Sequence, residues 1–267
     1  PPLTTKEGEL VNAIYGFLLF FLKAIRELKP DFIVAAFDLP APTFRHQQYE
    51  LYKATRPKTP EGIRDQIPKV KEILKSFNVQ VIEKEGYEAD DIIGTIAKTV
   101  PSELETIILS GDMDTLQLID KNIKVYAPKK GIKETILYDE EKVKEKYDGL
   151  GPEKVVDFKA LRGDPSDNIP GVKGIGEKTA ISLIKEFGSL EDIYKEIEEN
   201  TEKSAKIKDS VREKLLRDKE NAFISQKLAE IDKAVPLEFN LENCSWKEYD
   251  KEKASQALKN LNFYSLI

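Results

Sequence analysis

The order of apolar and polar residues predicts a first half in which strands alternate with helices, and a helical second half. Apolar residues recur at helical spacing over residues 8–28, and Pro30 ends that pattern. Residues 32–37 are continuously apolar, which is typical of a parallel strand buried on both faces. Strand-like and helical stretches then alternate to about residue 138, and the chain beyond it has helical periodicity almost throughout.

Acidic residues stand at the ends of several predicted segments. The further segments are strands at 79–82, 106–109, 123–126 and 135–138 and helices at 60–77 and 88–100. The acidic residues are Asp38, Glu88, Asp90, Asp91, Asp112, Asp114, Asp164 and Asp167. Open α/β sheets bind ligands beyond the carboxyl ends of their strands, and crowded carboxylates either need a cation to hold them together or point apart into water. The pattern therefore predicts one hard-cation site gathered from distant parts of the chain.

The cluster Glu88-Ala89-Asp90-Asp91 leaves its own geometry open. In a regular helix that starts at Glu88, successive residues turn by about 100°, so Glu88 and Asp91 flank one side of the apolar face and Asp90 the other. Either the helix begins after Glu88, or one of the three acids is not a direct ligand and only favours the N-terminal helix dipole.

Composition narrows the class of protein. With 267 residues, 40% hydrophobic and 34% charged, the chain is long enough to bury one large core or two joined ones. Its longest apolar stretch, residues 13–22, is shorter than the roughly 20 residues that span a bilayer, so we expect no membrane partner and a cytoplasmic location. The single cysteine, Cys244, cannot form an internal disulfide and fits a reducing compartment.

Residues 45–75 are basic, although the whole chain carries a net charge of -6. The segment has eight Lys or Arg residues against four acids, and Phe44, Tyr49 and Tyr52 accompany them. Aromatic rings among basic residues suit stacking on nucleic-acid bases. A solvated helical excursion whose aromatic side chains pack inward explains the pattern equally well.

A glycine-rich run at residues 168–180 joins two predicted helical segments. Its glycines permit tight turns and close backbone approach, and the last of them opens a helix whose free N–H groups favour an anion. Such a run is a helix–hairpin–helix signature, which binds a nucleic-acid phosphate without reading the base sequence. The predicted DNA contacts are Gly171, Lys173, Gly174, Ile175, Gly176 and Lys178.

Four motifs occur along the chain in a characteristic order. They are residues 37–46 (Phe-Asp-Leu-Pro-Ala-Pro-Thr-Phe-Arg-His), 86–91 (Gly-Tyr-Glu-Ala-Asp-Asp), 111–114 (Gly-Asp-Met-Asp) and 163–176 (Gly-Asp-Pro-Ser-Asp-Asn-Ile-Pro-Gly-Val-Lys-Gly-Ile-Gly). Their residues and order resemble the 5′-nuclease (5′→3′ exonuclease) domain of bacterial DNA polymerase I, in the flap endonuclease superfamily. The similarity extends over essentially the whole chain.

The resemblance implies a PIN-like α/β fold for residues 1–150, with a mixed, mainly parallel sheet flanked by helices and a helical arch at about residues 40–75. It implies a helical module with a helix–hairpin–helix (helix–three-turn–helix) motif for residues 151–267. The implied function is metal-dependent, structure-specific hydrolysis of DNA at 5′ flaps, nicks and RNA primers by a monomer, in replication and repair.

The resemblance also implies a role for each site residue. Asp38, Glu88, Asp90 and Asp112 would hold a first Mg²⁺, Asp114, Asp164 and Asp167 mainly a second, and Asp91 would lie close by. Mn²⁺ is an alternative ion, and K⁺ is expected on the carbonyl groups of the hairpin. Lys53 and Arg45 would approach the reacting phosphates as catalytic residues, and Arg56 would be a further DNA contact.

One part of the family pattern lies outside this sequence. In the family, a strand with an Asp-Gly-Asn type motif precedes the segment at which this sequence begins. We expect a chain without that strand to have a gap in its sheet and one metal ligand fewer, and the alternative function is then DNA-structure binding without catalysis. A nuclease that acts on RNA is a further alternative, although the helix–hairpin–helix motif favours duplex DNA.

Overall fold

A computed structural model describes residues 3–131, 134–246 and 249–266. Its strands are β1 (Val34–Ala36), β2 (Gln80–Ile82), β3 (Thr106–Leu109), β4 (Ile123–Lys130) and β5 (Glu134–Tyr138). Its helices are α1 (Asn12–Leu28), α2 (Phe44–Gln48), α3 (Glu61–Arg64), α4 (Ile67–Ser76), α5 (Ala89–Thr99), α6 (Glu140–Lys146), α7 (Val155–Arg162), α8 (Glu177–Phe187), α9 (Leu190–Glu198), α10 (Asp209–Arg217), α11 (Lys219–Ala229) and α12 (Lys251–Asn260). Within those three ranges, every helix is too short or too polar to cross a bilayer.

The five strands form two small sheets. β1 pairs in parallel with β2, β3 pairs in parallel with β4, and β4 pairs antiparallel with β5. The predicted mixed, mainly parallel pairing is confirmed, and the described strands lie in two separate sheets, β1-β2 and β3-β4-β5. The prediction that residues 32–37 are buried on both faces is wrong for β1, whose three residues are only half-buried. Among the described strands, β2 is its one partner.

Two predicted helices differ in extent from the observed ones. The first helix begins at Asn12 and not at residue 8, because Thr4 and Leu10 form an antiparallel bridge that holds the preceding segment extended. The segment predicted as one helix over 60–77 is divided into α3 and α4. Pro68 lies in the first turn of α4, where its missing N–H group is tolerated, but it would break a continuous helix.

The polar segment between α2 and α3 is not regularly helical. Residues 50–56 form successive turns, and residues 57–60 lack regular structure. Lys53 has a positive φ of 55°, and its N–H donates to the carbonyl of Asp167 at 2.9 Å. The turns therefore lie against the hairpin that follows α7.

Separate hydrophobic cores organise the two halves, and the last helix joins the first of them. Ala254 and Leu258 of α12 belong to the same buried cluster as residues of α1 and α4. Trp246 stacks on Phe77 with ring centroids 6.3 Å apart, so it has a packing role. A smaller cluster that includes Tyr52 lies where the turns meet α11 and the hairpin.

Candidate active site

Several of the predicted acidic ligands meet beyond the ends of β1 and β3. Asp38 lies two residues after β1, and its Oδ1 accepts the N–H of Ala89, the first residue of α5, at 2.7 Å. Asp112 caps the short 3₁₀-helix Met113–Leu118 that follows β3, and its Oδ1 accepts the N–H of Asp114 at 2.9 Å. Hydrogen bonds from the backbone therefore fix the two carboxylates that follow β1 and β3.

The cluster at residues 88–91 separates into three different environments. The helix begins at Ala89 and Glu88 is its N-cap, which confirms the first of the two alternatives drawn from the sequence. The Glu88 carboxylate turns towards the segment after α2, whereas Asp91 turns into the interior and has no exposed surface. Asp90 lies near the carboxylates that follow β1 and β3, whose charges act on it.

The electrostatics of Asp90 indicate negative charge that the protein does not neutralise. Burial, followed by the repulsion of Asp112, Asp114, Asp38 and Glu88, raises the pKa of Asp90 from 3.8 to about 7. A bound cation would remove that repulsion, and carboxylate oxygens are the ligands that hard divalent ions prefer.

Arg45 and Asp91 do not occupy the roles that the resemblance implies. Arg45 is 2% exposed, and its Nη1 and Nη2 donate to Oδ2 and Oδ1 of Asp91 at 2.7 and 2.8 Å. Its Nε donates to the carbonyl of Leu228 at 2.9 Å, and its Nη2 donates to the carbonyl of Glu230 at 2.5 Å. All of these donors are turned inward, so the guanidinium cannot approach a phosphate from solution.

Both oxygens of the Asp91 carboxylate likewise accept hydrogen bonds from groups in the interior. Besides the guanidinium, its oxygens accept the N–H groups of Glu88 at 3.0 Å and Asp232 at 2.9 Å. No lone pair of this carboxylate faces the other acids, because buried carboxylates are held by the donors around them. The assignments of Arg45 as a catalytic residue and of Asp91 as a neighbour of the metal are therefore replaced by a structural ion pair.

Lys53 and Arg56 contact acids of the predicted site. Lys53 Nζ lies 2.7 Å from Glu88 Oε1 and 3.9 Å from Asp167 Oδ2, and the Arg56 Nη2 group pairs with Asp167. Between them the buried Tyr52 hydroxyl donates to Glu88 at 3.1 Å and to Asp167 at 3.3 Å. Burial and the charge of Glu88 raise the pKa of Tyr52, so its hydroxyl remains a donor.

The aromatic residues of this segment are only partly available for stacking. Tyr52 is 3% exposed and lies edge-on to His46 at 5.4 Å. Phe44 contacts the ring of Tyr87, with centroids 5.8 Å apart. The interpretation that the aromatic side chains pack inward is therefore correct for Tyr52, whose hydroxyl contacts Glu88 and Asp167 of the acidic site.

Lys159 connects two of the predicted ligands of the second ion. Its Nζ pairs with Asp114 and lies 2.7 Å from Oδ2 of Asp164. Burial acts to raise the pKa of Asp164, but the hydrogen bonds from Lys159 and Ser166 outweigh it and lower that pKa to about 2. Asp114 differs, because its deeper burial outweighs the attraction of Lys159 and raises its pKa to about 6.

A cleft of about 500 Å³ extends from these acids towards α8. Its lining includes Asp112, Asp114 and Asp164 as well as Glu177, the first residue of α8. Three cationic residues that the sequence reasoning did not single out also line it: Lys146, Lys159 and Arg162. Lys159 and Arg162 lie within four residues before the Gly-Asp-Pro motif. This short distance in the sequence could have identified them as residues of the site.

The glycine-rich hairpin connects α7 to α8 through a close contact between two backbones. Gly163 and Gly171 have positive φ values of 75° and 61°, and a Cβ atom on Gly171 would lie 2.2 Å from the nitrogen of Gly163. Only glycine fits there. Gly176, by contrast, has open space around its Cβ position and is the N-cap of α8 without a side-chain cap.

The hairpin presents the predicted DNA contacts on an exposed surface, except for two buried residues. Lys173, Gly174, Gly176 and Lys178 are exposed, whereas Gly171 and Ile175 are buried and hold the hairpin in place. Ile175 is 4% exposed within the helical core, so its side chain packs inside the protein, and a DNA contact by Gly171 or Ile175 stays a prediction.

α10 supports the hairpin with two cations. Lys214 Nζ donates to the carbonyl of Gly174 at 3.1 Å, and Arg217 Nη2 donates to the carbonyl of Lys173 at 3.0 Å. The N–H of Lys173 in turn donates to Asp218 at 2.9 Å. Hairpin carbonyls of the kind expected to bind K⁺ thus already contact positively charged side chains.

The donor set fits divalent ions in its chemistry, although the side chains are engaged with one another. In the ranges that the structure describes, no group of three or more His, Cys, Asp or Glu side chains is arranged so that it could hold a metal ion. The acids are nevertheless neighbours in space, since Asp38, Asp112 and Asp114 all act on the charge of Asp90.

The sequence matches two family models that together cover most of its length. The model of the 5′–3′ exonuclease N-terminal resolvase-like domain matches residues 1–148. The chain belongs to the 5′–3′ exonuclease family. The model of the 5′–3′ exonuclease C-terminal SAM fold matches residues 150–252.

Relatives of the chain include bacterial DNA polymerases I. The chain is 46% identical over 270 residues to DNA polymerase I of Caldicellulosiruptor bescii and 41% identical over 268 residues to that of Bacillus caldotenax. Both alignments cover 100% of this chain but only 31% and 30% of those proteins. The chain thus spans about a third of the length of the curated relatives it matches.

Solved structures of the same fold include nucleases. A T5 5′-exonuclease with bound zinc has a TM-score of 0.68 and 19% identity, and the match covers 94% of this chain and 92% of that one. The catalytic core of Rad2 in complex with a DNA substrate has a TM-score of 0.58 and 19% identity, over 93% of this chain and 78% of that one. At this level of identity the matches establish the fold, which is that of the flap nucleases.

Proposed function

We propose that this chain is a structure-specific 5′ nuclease that hydrolyses phosphodiesters of DNA at 5′ flaps, nicks and RNA primers. The observation that carries the proposal is the convergence of Asp38, Asp90 and Asp112 from three elements, where burial and then the repulsion of the neighbouring carboxylates raise the pKa of Asp90 to about 7. A protein retains such uncompensated charge where function requires it. Membership of the 5′–3′ exonuclease family supports the same activity.

Two Mg²⁺ ions, with Mn²⁺ as an alternative, are the proposed cofactors. Asp38, Glu88, Asp90 and Asp112 would hold the first ion, and Asp114, Asp164 and Asp167 would serve mainly the second. When bound, the pair would supply an activated water and a positive charge opposite the leaving oxygen. The chain's own residues orient these carboxylates through backbone hydrogen bonds, as at Asp38 and Asp112.

Lys53 is the residue of this segment best placed to act on the reacting phosphate. Its ammonium group is half-buried beside Glu88, at the edge where the acids converge. A cation held there stabilises negative charge that develops on a phosphate in the transition state. Arg56 is more exposed and pairs with Asp167, so we assign it to contact with the DNA backbone outside the reacting group.

The hairpin would hold the duplex by its backbone. The exposed start of α8 offers free N–H groups, and Lys173 and Lys178 add positive charge beside them. The cleft lined by Lys146 and Arg162 leads from this surface to the acidic site. We retain K⁺ on carbonyl groups of the hairpin as a proposal, other than those of Lys173 and Gly174, which accept hydrogen bonds from Arg217 and Lys214.

The two halves divide these tasks. We propose that residues 1–150 form the nuclease core and residues 151–267 the DNA-holding module, with α12 returning to the core. The protein would act as a monomer in the cytoplasm, where its DNA substrate is found, in replication and repair.

Cleavage of a labelled 5′-flap DNA tests the proposal. We expect cutting near the flap junction in Mg²⁺, none in EDTA, and tight binding without cutting in Ca²⁺. Asp112→Ala should abolish cleavage and leave binding in Ca²⁺ largely intact, whereas the matched control Asp148→Asn, an exposed acid paired with Lys185, should behave as the wild type. Binding without any cleavage in Mg²⁺ would instead favour the role of a non-catalytic DNA-structure binder.

A further inference from the structure

The two predicted ion sites differ in how their charge is balanced. In the described parts of the chain, no Lys or Arg side chain forms an ion pair with Asp38, Asp90 or Asp112. The pair Asp114 and Asp164, in contrast, shares the ammonium group of Lys159. Among the described acids assigned to the first ion, Glu88 alone pairs with cations, Lys53 and Arg45, whereas the second site holds a cation between two of its acids.

Lys159 occupies the space between its two acids and has little freedom to leave it. Its side chain is 8% exposed, and those of Asp114 and Asp164 are 19% and 16% exposed. The ammonium contacts Oδ1 of Asp114 and Oδ2 of Asp164, while the other Asp164 oxygen is held by Ser166 through its N–H at 2.9 Å and its hydroxyl at 2.6 Å. The acid oxygens that face each other thus share one cation.

An ammonium group and a divalent ion cannot share this position. Both need the same carboxylate oxygens, and their like charges repel each other strongly at such a distance in a partly buried setting. An ion that binds Asp114 and Asp164 must therefore displace the Lys159 ammonium or bind with weakened affinity.

We propose that Lys159 is a built-in competitor of the second divalent ion, which keeps Asp114 and Asp164 together in the ion-free protein and sets the affinity of that site. The inference rests on the proposed function only for the identity of the two acids as ion ligands. It makes Lys159 a positioning residue, because it acts on the ion site and not on the substrate.

Mn²⁺ titration of the full chain, followed by the electron paramagnetic resonance signal of free Mn²⁺, tests the proposal. We expect the wild type to bind two Mn²⁺ ions with unequal affinity. Lys159→Met removes the charge but keeps the length of the side chain, and it should tighten the weaker site on the order of tenfold or more. The tighter site should change by less than about twofold, because Lys159 pairs with none of the acids Asp38, Asp90 or Asp112.

Thermal unfolding separates this role from that of an ordinary ion pair. In EDTA, Lys159→Met should lower the Tm by about 5 °C or more, because two partly buried carboxylates lose their counter-ion. Saturating Mn²⁺ should restore the Tm to the wild-type level or above it. A purely structural lysine would lower the Tm equally with and without Mn²⁺.

The control variant is Lys185→Met. Lys185 Nζ also pairs with one aspartate, Asp148, at 2.7 Å, but both residues are exposed and lie outside the predicted ion sites. This substitution should leave both Mn²⁺ affinities and the Mn²⁺-dependent change in Tm unaltered.

The wild-type chain offers a further measurement if Lys159→Met fails to fold. Acetylation of lysines by acetic anhydride, read by mass spectrometry, should be slow at Lys159 in EDTA and at least several-fold faster in saturating Ca²⁺, which displaces the ammonium group into the cleft. Lys185 should react at the same rate in both conditions. An unchanged rate at Lys159 would overturn the proposal.

The outcomes distinguish this inference from the proposed function. Two Mn²⁺ ions bound with the weaker affinity unchanged or reduced in Lys159→Met would overturn the inference and leave the nuclease intact. A tightened second site in a chain that never cuts flap DNA would support the inference while the proposed function fails. If neither the wild type nor Lys159→Met binds Mn²⁺, both this inference and the proposed function would be overturned.

Discussion

At the scale of single residues, two adjacent aspartates of the same motif have opposite electrostatic roles. Asp90 faces other acids, and burial together with their charges raises its pKa to about 7. Asp91 is fully buried and is held by Arg45 and two backbone N–H groups. Because Asp90 is repelled by its neighbours and Asp91 is fully paired, the same Asp→Asn substitution should have opposite effects on stability at the two positions.

In EDTA at pH 7.5, Asp90→Asn should raise the free energy of unfolding by about 1–2 kcal/mol. This value allows for the water that reaches a half-buried group and so discounts the full effect of its pKa shift. Asp91→Asn should lower the free energy of unfolding by about 3 kcal/mol, because it leaves the buried Arg45 cation incompletely paired. Urea denaturation measures both, and equal effects of the two substitutions would contradict the assignment.

The pKa of Asp90 also predicts the pH dependence of stability. The folded state holds the Asp90 proton up to about pH 7, whereas the unfolded chain releases it at about its ordinary pKa of 3.8. The Asp90 contribution to the free energy of unfolding therefore falls as pH rises from about 4 to about 7. The difference in Tm between wild type and Asp90→Asn in EDTA should grow over that range, and a constant difference would contradict it.

Comparing the rate of flap cleavage with the affinity for DNA distinguishes a role of Lys53 at the reacting phosphate from a role in docking alone. Its ammonium lies at the acidic edge beside Glu88, not on the exposed hairpin. Lys53→Ala should slow flap cleavage by about 100-fold, the loss typical of one preorganised charge contact, and should change duplex affinity in Ca²⁺ by less than about threefold. The opposite pattern would make Lys53 a site of DNA docking alone.

At the scale of elements, the hairpin shows that glycines of one motif are constrained for different reasons. Gly171 combines a positive φ with a backbone neighbour 2.2 Å from its would-be Cβ, whereas Gly176 caps α8 in open space. One glycine is required by the fold, and the other leaves room for an approaching phosphate.

Gly171→Ala should therefore destabilise the protein by about 3 kcal/mol through strain and overpacking. Gly176→Val should cost less than about 1 kcal/mol in stability but should weaken binding to duplexes of every sequence, because its side chain projects where the backbone approaches. Denaturation and fluorescence anisotropy measure the two effects. Weakened binding for a single sequence would contradict a phosphate contact.

At the scale of the whole molecule, α12 lies at the end of the chain but belongs to the core of the first half. Leu258 is 3% exposed in the cluster formed with α1 and α4, whereas Leu216 of α10 is 52% exposed. Leu258→Ala should lower the free energy of unfolding by about 2–5 kcal/mol. Leu216→Ala should change it by less than about 0.5 kcal/mol, and similar effects of both would contradict the packing of α12.

The sequence alone determined the features that depend on local pattern. Apolar runs predicted β1 to β5, because the spacing of apolar residues along the chain shows which face of a strand or helix will be buried. Acids after β1 and β3 and glycines between α7 and α8 predicted a cation site and a phosphate-binding hairpin, since strand ends and helix starts have the same chemistry in any fold.

The tertiary structure alone decided which charged groups meet. Asp90 and Asp91 are identical in type and adjacent, and only the position of Arg45, 46 residues from Asp91, makes one structural and leaves the other facing the acids. Lys159 and Asp114 lie 45 residues apart, and their contact arises from the packing of α7 beside the 3₁₀-helix after β3. Burial and the pairing of charges depend on atoms brought together by the whole fold, so no local pattern contains them.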